Sequence, residues 1–335
     1  MGDAFPKRPT LKDLAKAAKV SLASASYAVN GTGSLGEQTR NHILRVAGEI
    51  GYRQNLNARA TRTGQTGAIG LVLPDLSNPF FPTLAQSVIQ AARIRGYSVY
   101  VTDTEGSESL ERETIKELVD RNVDGLVWFP IRDSNTASLI VDNVPTIVLD
   151  RSLPGFETIQ ADYAEGGRRA AEYLVSRGHR RIGIVSGPTD IASMRQRRDG
   201  AADYVSAHAE LAFVVANAFS IDLEPAVVQL VESRTATAIF AGADMIAVGI
   251  LRLADGLGIR VPDDLSLIGF DDIPWASLSK PALTTMEMPL EQMAVEAVDA
   301  AIRLIGTGKR SHRRVILDVP LVERDSVRDL RQDRR

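Results

Sequence analysis

TLKDLAKAAKVSLASASYAVNG, residues 10–31, decides how the rest of the chain is read. Thr10 followed by Leu-Lys-Asp starts a helix, with Thr10 as N-cap and Asp13 at the third helical position in a short capping box. Leu11, Leu14, Ala15 and Ala18 then form one apolar stripe. After a break at Lys19-Val20, Ser21 caps a second helix, Leu22 to Val29, which turns Ala25, Ala28 and Val29 inward. The small Ala15 and Ala25 let the two helices cross closely. Ile43, Leu44, Val46, Ala47 and Ile50 mark a third helix from Glu37 to Ile50, and Gly51 supplies its left-handed stop. Three short helices with a tight first turn and a basic surface describe a helix-turn-helix head.

Charge supports that reading. The chain carries a formal net charge of -3 over 335 residues. Residues 1–66 hold ten Lys/Arg and four acids, a balance of +6, so the remainder sums to -9. A small basic head on an acidic body suits a head that meets a polyanion and a body that stays off it. With no cysteine and four histidines, none at helical ligand spacing, neither a disulfide framework nor a metal site is expected, and no cofactor. No apolar run is long enough to span a membrane and the first ten residues lack a signal-peptide core, which predicts a cytoplasmic protein.

One motif competes. Gly31, Gly33 and Gly36 satisfy a dinucleotide-binding spacing ahead of a helix, but that fingerprint needs a buried strand before it, and the preceding segment is helical. These glycines read as a loop.

From Ala68 the pattern changes to short apolar runs separated by helical stretches. The runs are Ile69–Leu73, Ser98–Val101, Gly125–Phe129 and Thr146–Leu149, then Ile182–Val185, Phe213–Val215, Ala238–Ala241 and Leu265–Phe270. Two such series predict two α/β lobes with parallel sheets, and a ligand in the cleft at the carboxyl ends of the strands. Asp75, Asn78, Phe80 and Phe81 follow the first strand and Asp150-Arg151 the fourth. Asp244 follows the third strand of the second lobe, and Asp271-Asp272 with Trp275 the fourth. Carboxylates and Arg pair with adjacent hydroxyls while aromatic faces cover an apolar ring face, the mixture that sugar recognition needs. Arg195, Arg197 and Arg198 cluster on one segment, read first as a solvated helix face and second as a seat for an anion.

The segments TLKDLAKAAKVSLASASYAVNG, GYRQNLNARATRTGQTGAIGLVLPDLSNPFF (51–81) and SLIGFDDIPWASLSKPALTT (266–285) together resemble the lactose-repressor/galactose-repressor (LacI/GalR) family of bacterial transcription regulators. The likeness runs from Thr10 to about Arg324. It implies an N-terminal all-α helix-turn-helix head (1–52), a hinge helix or linker (53–66) and a two-lobed α/β core shaped like periplasmic sugar-binding proteins (67–325), which leaves 326–335 as a charged, disordered tail. By resemblance, Phe81, Arg151, Arg197, Phe219 and Asp244 fall at effector-contacting positions, with Asp162, Asp271 and Trp275 beside them. The DNA contacts expected are Thr10, Ser21, Leu22, Ala23, Ser26, Tyr27 and Asn30 in the head and Asn55, Ala58, Arg59 and Thr61 in the hinge. The chain departs from the family pattern at several of these places. Lys19 replaces a turn glycine, Tyr27 an Arg that often reads guanine, Thr61 the apolar minor-groove wedge, and Ala243 an Asn.

The function expected is an effector-responsive repressor that binds a pseudo-palindromic, double-stranded DNA operator as a homodimer and senses a sugar, polyol or nucleoside. A solute-binding protein or an α/β enzyme using the same cleft is the alternative, although no catalytic pair is visible. SVRDLRQDRR at the end has no leucine heptads, so a coiled-coil tetramer is not expected.

Overall fold

The computed structural model describes residues 8–53, 64–133, 141, 144–309 and 311–331. The chain divides into two compact units, Met1–Thr66 and Gly67–Arg335.

In the first unit, α1 (Leu11–Ala17), α2 (Leu22–Asn30) and α3 (Glu37–Glu49) pack around Leu14, Ala15, Ala25, Ala28, Ile43 and Val46. The Thr10 hydroxyl accepts the Asp13 amide at 3.3 Å while Asp13 Oδ2 accepts the Thr10 amide at 2.8 Å, so the capping box is closed in both directions. Ser21 Oγ accepts the Ser24 amide at 3.0 Å and starts α2. Lys19, between them, has φ +55°, the left-handed geometry the missing glycine would adopt freely, at a cost of about 1 kcal/mol. A ring nitrogen of His42 lies 3.1 Å from the Ala18 carbonyl and ties α3 to that turn. Gly31 caps α2 in the left-handed region and a helix precedes it, so the glycine motif is a loop.

The second unit holds two six-stranded sheets. Lobe one orders β11-β5-β4-β3-β1-β2, from β1 (Ala68–Leu73), β2 (Ser98–Asp103), β3 (Gly125–Trp128), β4 (Thr146–Leu149), β5 (Glu157–Ala161) and β11 (Arg314–Leu317). Lobe two orders β12-β10-β9-β8-β6-β7, from β6 (Arg181–Ser186), β7 (Glu210–Ala216), β8 (Ala238–Ala241), β9 (Ser266–Asp271), β10 (Thr284–Glu287) and β12 (Leu321–Val322). Every pairing is parallel except β10 with β12. Six of the eight apolar runs are central strands, buried on both faces as parallel sheets require, while Ser98–Val101 and Phe213–Val215 fall in the partly exposed edge strands β2 and β7. Four strands escape that reading. β5 and β10 bury Glu157, Thr158, Gln160, Thr284 and Thr285, and the short β11 and β12 sit at sheet edges.

The chain crosses between lobes three times. After β5, α6 (Tyr163–Ser176) packs on α7 (Ala192–His208) of lobe two. After β10, α11 (Leu290–Thr307) returns to lobe one and lies against α4 (Phe80–Ile94), and β11 then leads across to β12. Glycine sets the α6–α7 spacing. A Cβ on Gly167 would stand 2.0 Å from the Arg197 carbonyl oxygen, and one on Gly200 2.1 Å from that of Ala164, so the two helix backbones touch. Arg197 is thereby held against the crossover.

The tail departs from expectation. Residues 326–331 are part of lobe two. Ser326 is fully buried, donates to the Leu267 carbonyl at 2.6 Å and accepts the Thr284 amide at 2.8 Å. Leu330 N–H donates to Arg177 O, and Asp329 pairs with Arg177 and Arg331. Arg328, Asp329 and Arg331 are all ion-paired, and the backbone bonds to the start of β9.

His179 reads this clamp. Its ring is buried, with Nε2 3.2 Å from the Arg328 carbonyl and Nδ1 3.1 Å from Thr237 Oγ1. Burial pulls its pKa down to about 4, against the opposing pull of the Arg328 carbonyl. The folded value lies below the ordinary 6.5, so the stabilisation is complete above pH 6.5. It is lost as pH falls toward 4, where it totals on the order of 3 kcal/mol. Urea unfolding between pH 7 and pH 5 should show His179→Asn losing less stability than the parent over that interval. Parallel curves would show that the ring does not titrate this way.

Candidate functional site

A cavity of about 220 Å³ opens between the lobes at the carboxyl ends of both sheets. It is lined from lobe one by Pro74 and Asp75 after β1, by Asn78, Phe80 and Phe81 at the start of α4, by Gly106 after β2, and by Phe129, Ile131, Asp150 and Arg151 after β3 and β4. Lobe two contributes Ile191, Ser193, Met194 and Arg197 from the first turns of α7, with Phe219 and Asp271.

The two lobes present matching corners. β4 and β9 hold the same place in their sheets, and each is completed by an aspartate with positive φ, Asp150 at +66° and Asp271 at +115°. Non-glycine residues persist there only when their surroundings over-determine them. The surroundings here are buried arginines. Arg197 Nη1 donates to Asp271 Oδ1 at 2.8 Å and to the Gly242 carbonyl at 2.9 Å, and its guanidinium lies 3.8 Å above the Phe270 ring. Arg151 is ion-paired with Asp150, and its Nη1 lies 3.3 Å from Ser193 Oγ. Ser193 Oγ in turn donates to Asp150 Oδ2 at 3.0 Å, bridging the lobes. Tyr163, fully buried on the first crossover, donates its hydroxyl to Asp150.

Burial lowers the Arg151 pKa and raises those of Asp271 and Tyr163, and Arg197 pulls both of the latter back. The arginines are thus neutralised by carboxylates already in the wall. Asp75 is different. Among the described residues its Oδ1 accepts only from its own turn, the Ser77 amide at 2.8 Å and hydroxyl at 2.6 Å. Beside the Asp150 corner, where the Arg151 guanidinium lies 5.3 Å from the centre of the Phe129 ring, Phe80, Phe81 and Phe129 pack edge to face with centroids 5.0 to 6.1 Å apart, presenting an apolar wall. No group of acids and histidines suited to a metal ion occurs among the described residues.

The cavity gathers Asp75, Phe80, Phe81, Asp150, Arg151, Arg197, Phe219 and Asp271 of the expected residues and leaves out three. Asp244 is completely buried at the start of α9 (Asp244–Gly256), where it accepts the Ile273 amide at 3.0 Å and the Thr285 hydroxyl at 2.7 Å. A Cβ on Gly269 would come within 2.1 Å of its Oδ1, so the carboxylate is walled in. Burial raises its pKa well above the ordinary value. Asp162 caps α6 by accepting the Glu165 amide at 3.1 Å. Trp275 lies half-exposed on the short α10 (Pro274–Leu278), away from the cavity. The arginine cluster also divides. Arg197 is buried rather than solvated, while Arg195 pairs with Asp133 and Arg198 with Asp199.

Ile191, Ser193 and Met194 carry no sequence signal, because nothing marks that turn of α7 as facing the other lobe. Phe129 was legible only as the end of a strand.

In the head, Leu22, Ala23 and Tyr27 are exposed on one face of α2 with Ser26 half-buried beside them. Gly33 supports the Tyr27 ring, since a Cβ there would meet it at 2.7 Å. Asn30 donates its amide to the Ser26 carbonyl at 2.7 Å, and Thr10 and Ser21 serve as caps. Asn55, Ala58, Arg59 and Thr61 lie outside the described residues.

Residues 10–55 match the family described as bacterial regulatory proteins, lacI family, and residues 171–327 match a periplasmic binding protein-like domain. The ribose operon repressor of Halalkalibacterium halodurans is 31% identical over 95% of this chain and 97% of its own length. MalR, an HTH-type transcriptional regulator of Streptomyces coelicolor, is 32% identical over 95% and 96%. The chain belongs to the lacI family of bacterial transcription regulators. Among solved structures, the lac repressor dimer bound to operator and the anti-inducer ONPF superimposes with a TM-score of 0.83 at 26% identity, covering 96% of this chain and 100% of that one. The cellobiose complex of the regulator CelR gives 0.71 at 26%, covering 95% and 100%. As a lacI-family protein it is a DNA-binding regulator and not an enzyme, and no helix among its described residues is long and apolar enough to cross a membrane.

Two acids separate structure from binding. Asp244→Ala should lower stability by about 2 to 4 kcal/mol, since the Thr285 hydroxyl and Ile273 amide lose their acceptor. Asp75→Ala should change it by less than about 0.5 kcal/mol. Calorimetry with a sugar that stabilises the parent should show Asp75→Ala binding roughly ten-fold more weakly. Unchanged binding would remove Asp75 from the site.

Proposed function

We propose that the protein is a repressor that binds a two-fold symmetric operator as a homodimer in the cytoplasm, and that a small uncharged polyhydroxylated molecule in the inter-lobe cavity changes its operator affinity. The observation that carries the ligand assignment is the charge balance of the cavity. Arg151 and Arg197 are already matched by Asp150 and Asp271, and Asp75 adds a further acid. A phosphorylated ligand would bring negative charge to a wall with no cation to spare, whereas hydroxyls can pair with the carboxylates and an apolar ring face can lie on the phenylalanines. An unphosphorylated sugar or polyol fits best. Relatives named for ribose and a complex with bound ribose support trying that sugar early.

For DNA, Leu22, Ala23, Ser26 and Tyr27 form the reading face and Thr10, Ser21 and Asn30 its frame, with Asn55, Ala58, Arg59 and Thr61 in the hinge. That face contains no Arg or Lys, so bidentate pairing with guanine is missing from it, while Leu22 and Ala23 suit thymine methyls. The +6 balance of residues 1–66 supplies phosphate affinity. A ligand acts by binding the operator-competent and incompetent states unequally.

Gel shifts with genomic fragments test the function. The full chain should retard specific fragments, with affinity falling about 10³-fold between 50 and 200 mM salt, and residues 67–335 alone should retard none. No specific fragment at any salt concentration would contradict the proposal. In a randomised-operator selection, Tyr27→Arg should gain a guanine preference of about 1 to 3 kcal/mol at one base pair per half-site. A strong guanine preference at that pair in the parent, lost in Tyr27→Phe, would show instead that the phenol reads the base.

A further inference from the structure

The first, described stretch of the connection after β3, Phe129–Asp133, reaches from lobe one to the start of α7 in lobe two. Its root is fixed by Glu111, a buried acid on α5 (Glu108–Asp120) that accepts the Trp128 indole N–H at 2.9 Å and the Ile131 amide at 3.0 Å. Two neighbouring residues at its tip make contacts across the cleft, and they differ in burial. Arg132 donates to Glu108 of its own lobe and to Asp190 of the other, with all three side chains between 36% and 55% exposed. Exposed pairs of that kind contribute little. Asp133 is placed otherwise. Its Oδ2 accepts the Ala192 amide at 2.8 Å, in the first turn of the seventeen-residue α7, and Arg195 Nη2 at 3.2 Å.

The other oxygen of Asp133 carries the argument. Asp133 Oδ1 and Arg151 Nε are both buried with no hydrogen-bond partner among the described residues, and they face each other at 3.4 Å. Arg151 is a wall of the ligand cavity and its side chain is 5% exposed. One carboxylate therefore touches the cavity's arginine in lobe one and the helix that brings Ser193, Met194 and Arg197 into the cavity from lobe two. A short further approach would complete the Arg151 bond.

We propose that Asp133 is a positioning residue of the ligand site, joining Arg151 to the N-terminus of α7 so that the seating of Arg151 and the closure of the cleft are one equilibrium. Opening the cleft strips Asp133 of the Ala192 amide and Arg195 together and takes Ser193 from Arg151, leaving Arg151 with Asp133 and Asp150 of its own lobe. Arg132, one residue earlier, adds reach without comparable strength. The importance of closure for binding rests on the cavity being the effector site, but closure itself is measurable without any ligand.

The chain has no cysteine, so Lys116→Cys in lobe one and Gln229→Cys on α8 (Pro225–Glu232) in lobe two carry one spin label in each lobe, and diluting the labelled chain with excess unlabelled chain leaves one labelled protomer per dimer. Pulsed EPR then reads the lobe separation directly. Asp133→Ala should lower the ratio of short to long distances by roughly ten-fold or more. Asp133→Asn, which keeps an acceptor for the Ala192 amide but loses the charge, should fall between parent and Ala, and Arg132→Gln should reproduce the parent. Identical distributions for the parent and both Asp133 variants would overturn the proposal, as would opening by Arg132→Gln equal to that of Asp133→Ala. Should Asp133→Ala not fold, the Asn variant decides: a distribution identical to the parent's rejects the role.

Discussion

The body of the protein depends on one buried cation. Arg197 sits on α7 with its carbonyl pressed against Gly167 of α6, its guanidinium on the Phe270 ring, and its Nη1 shared between Asp271 and the Gly242 carbonyl. Its charge also lies 5.0 Å from the centre of the Tyr163 ring on the first crossover, and its Nη2 3.7 Å from Met288 Sδ on the second. A cation taken from water into such a place is tolerable only with partners in good geometry. The positive φ of Asp271 brings the matching carboxylate there. The strained corner and the buried arginine therefore require each other.

From that pair a continuous chain of contacts runs between the lobes. Asp271 holds Arg197, Arg197 lies against Tyr163, Tyr163 donates to Asp150, and Asp150 pairs with Arg151. Asp150 and Asp271 are equivalent corners of two sheets with the same strand order, so the cavity is built twice from one plan and closed by bringing the copies together. The three crossovers tie the two lobes together. Direct van der Waals contact between the α6 and α7 backbones, enforced by Gly167 and Gly200, makes α6 and α7 a rigid block.

Much of this was legible in the sequence. The capping box at Thr10, the left-handed turn at Lys19 and the central strands follow from local rules, because each depends on residues a few positions apart. Strand-end aspartates pointed to the cleft, and Asp75, Asp150 and Asp271 line it. Asp244 misled because position alone cannot separate a carboxylate facing a cavity from one facing the donors of Thr285 and Ile273, and that distinction depends on β10, whose buried threonines hid it. The same blindness placed Ser326 to Arg331 in a disordered tail, since the pairing of Asp329 with Arg177 spans about half the chain. Long-range partnership is what local pattern does not encode.

The account makes the Arg197–Asp271 pair the constraint that fixes the cavity, and a double-mutant cycle on stability tests it directly. With Arg197→Met and Asp271→Leu made singly and together and unfolded in urea, each single change should cost about 3 to 5 kcal/mol by leaving the other charge buried alone. The double variant should cost clearly less than the sum. Strict additivity of the two losses would mean that the residues do not hold each other, and the account of the cavity built on them would be wrong.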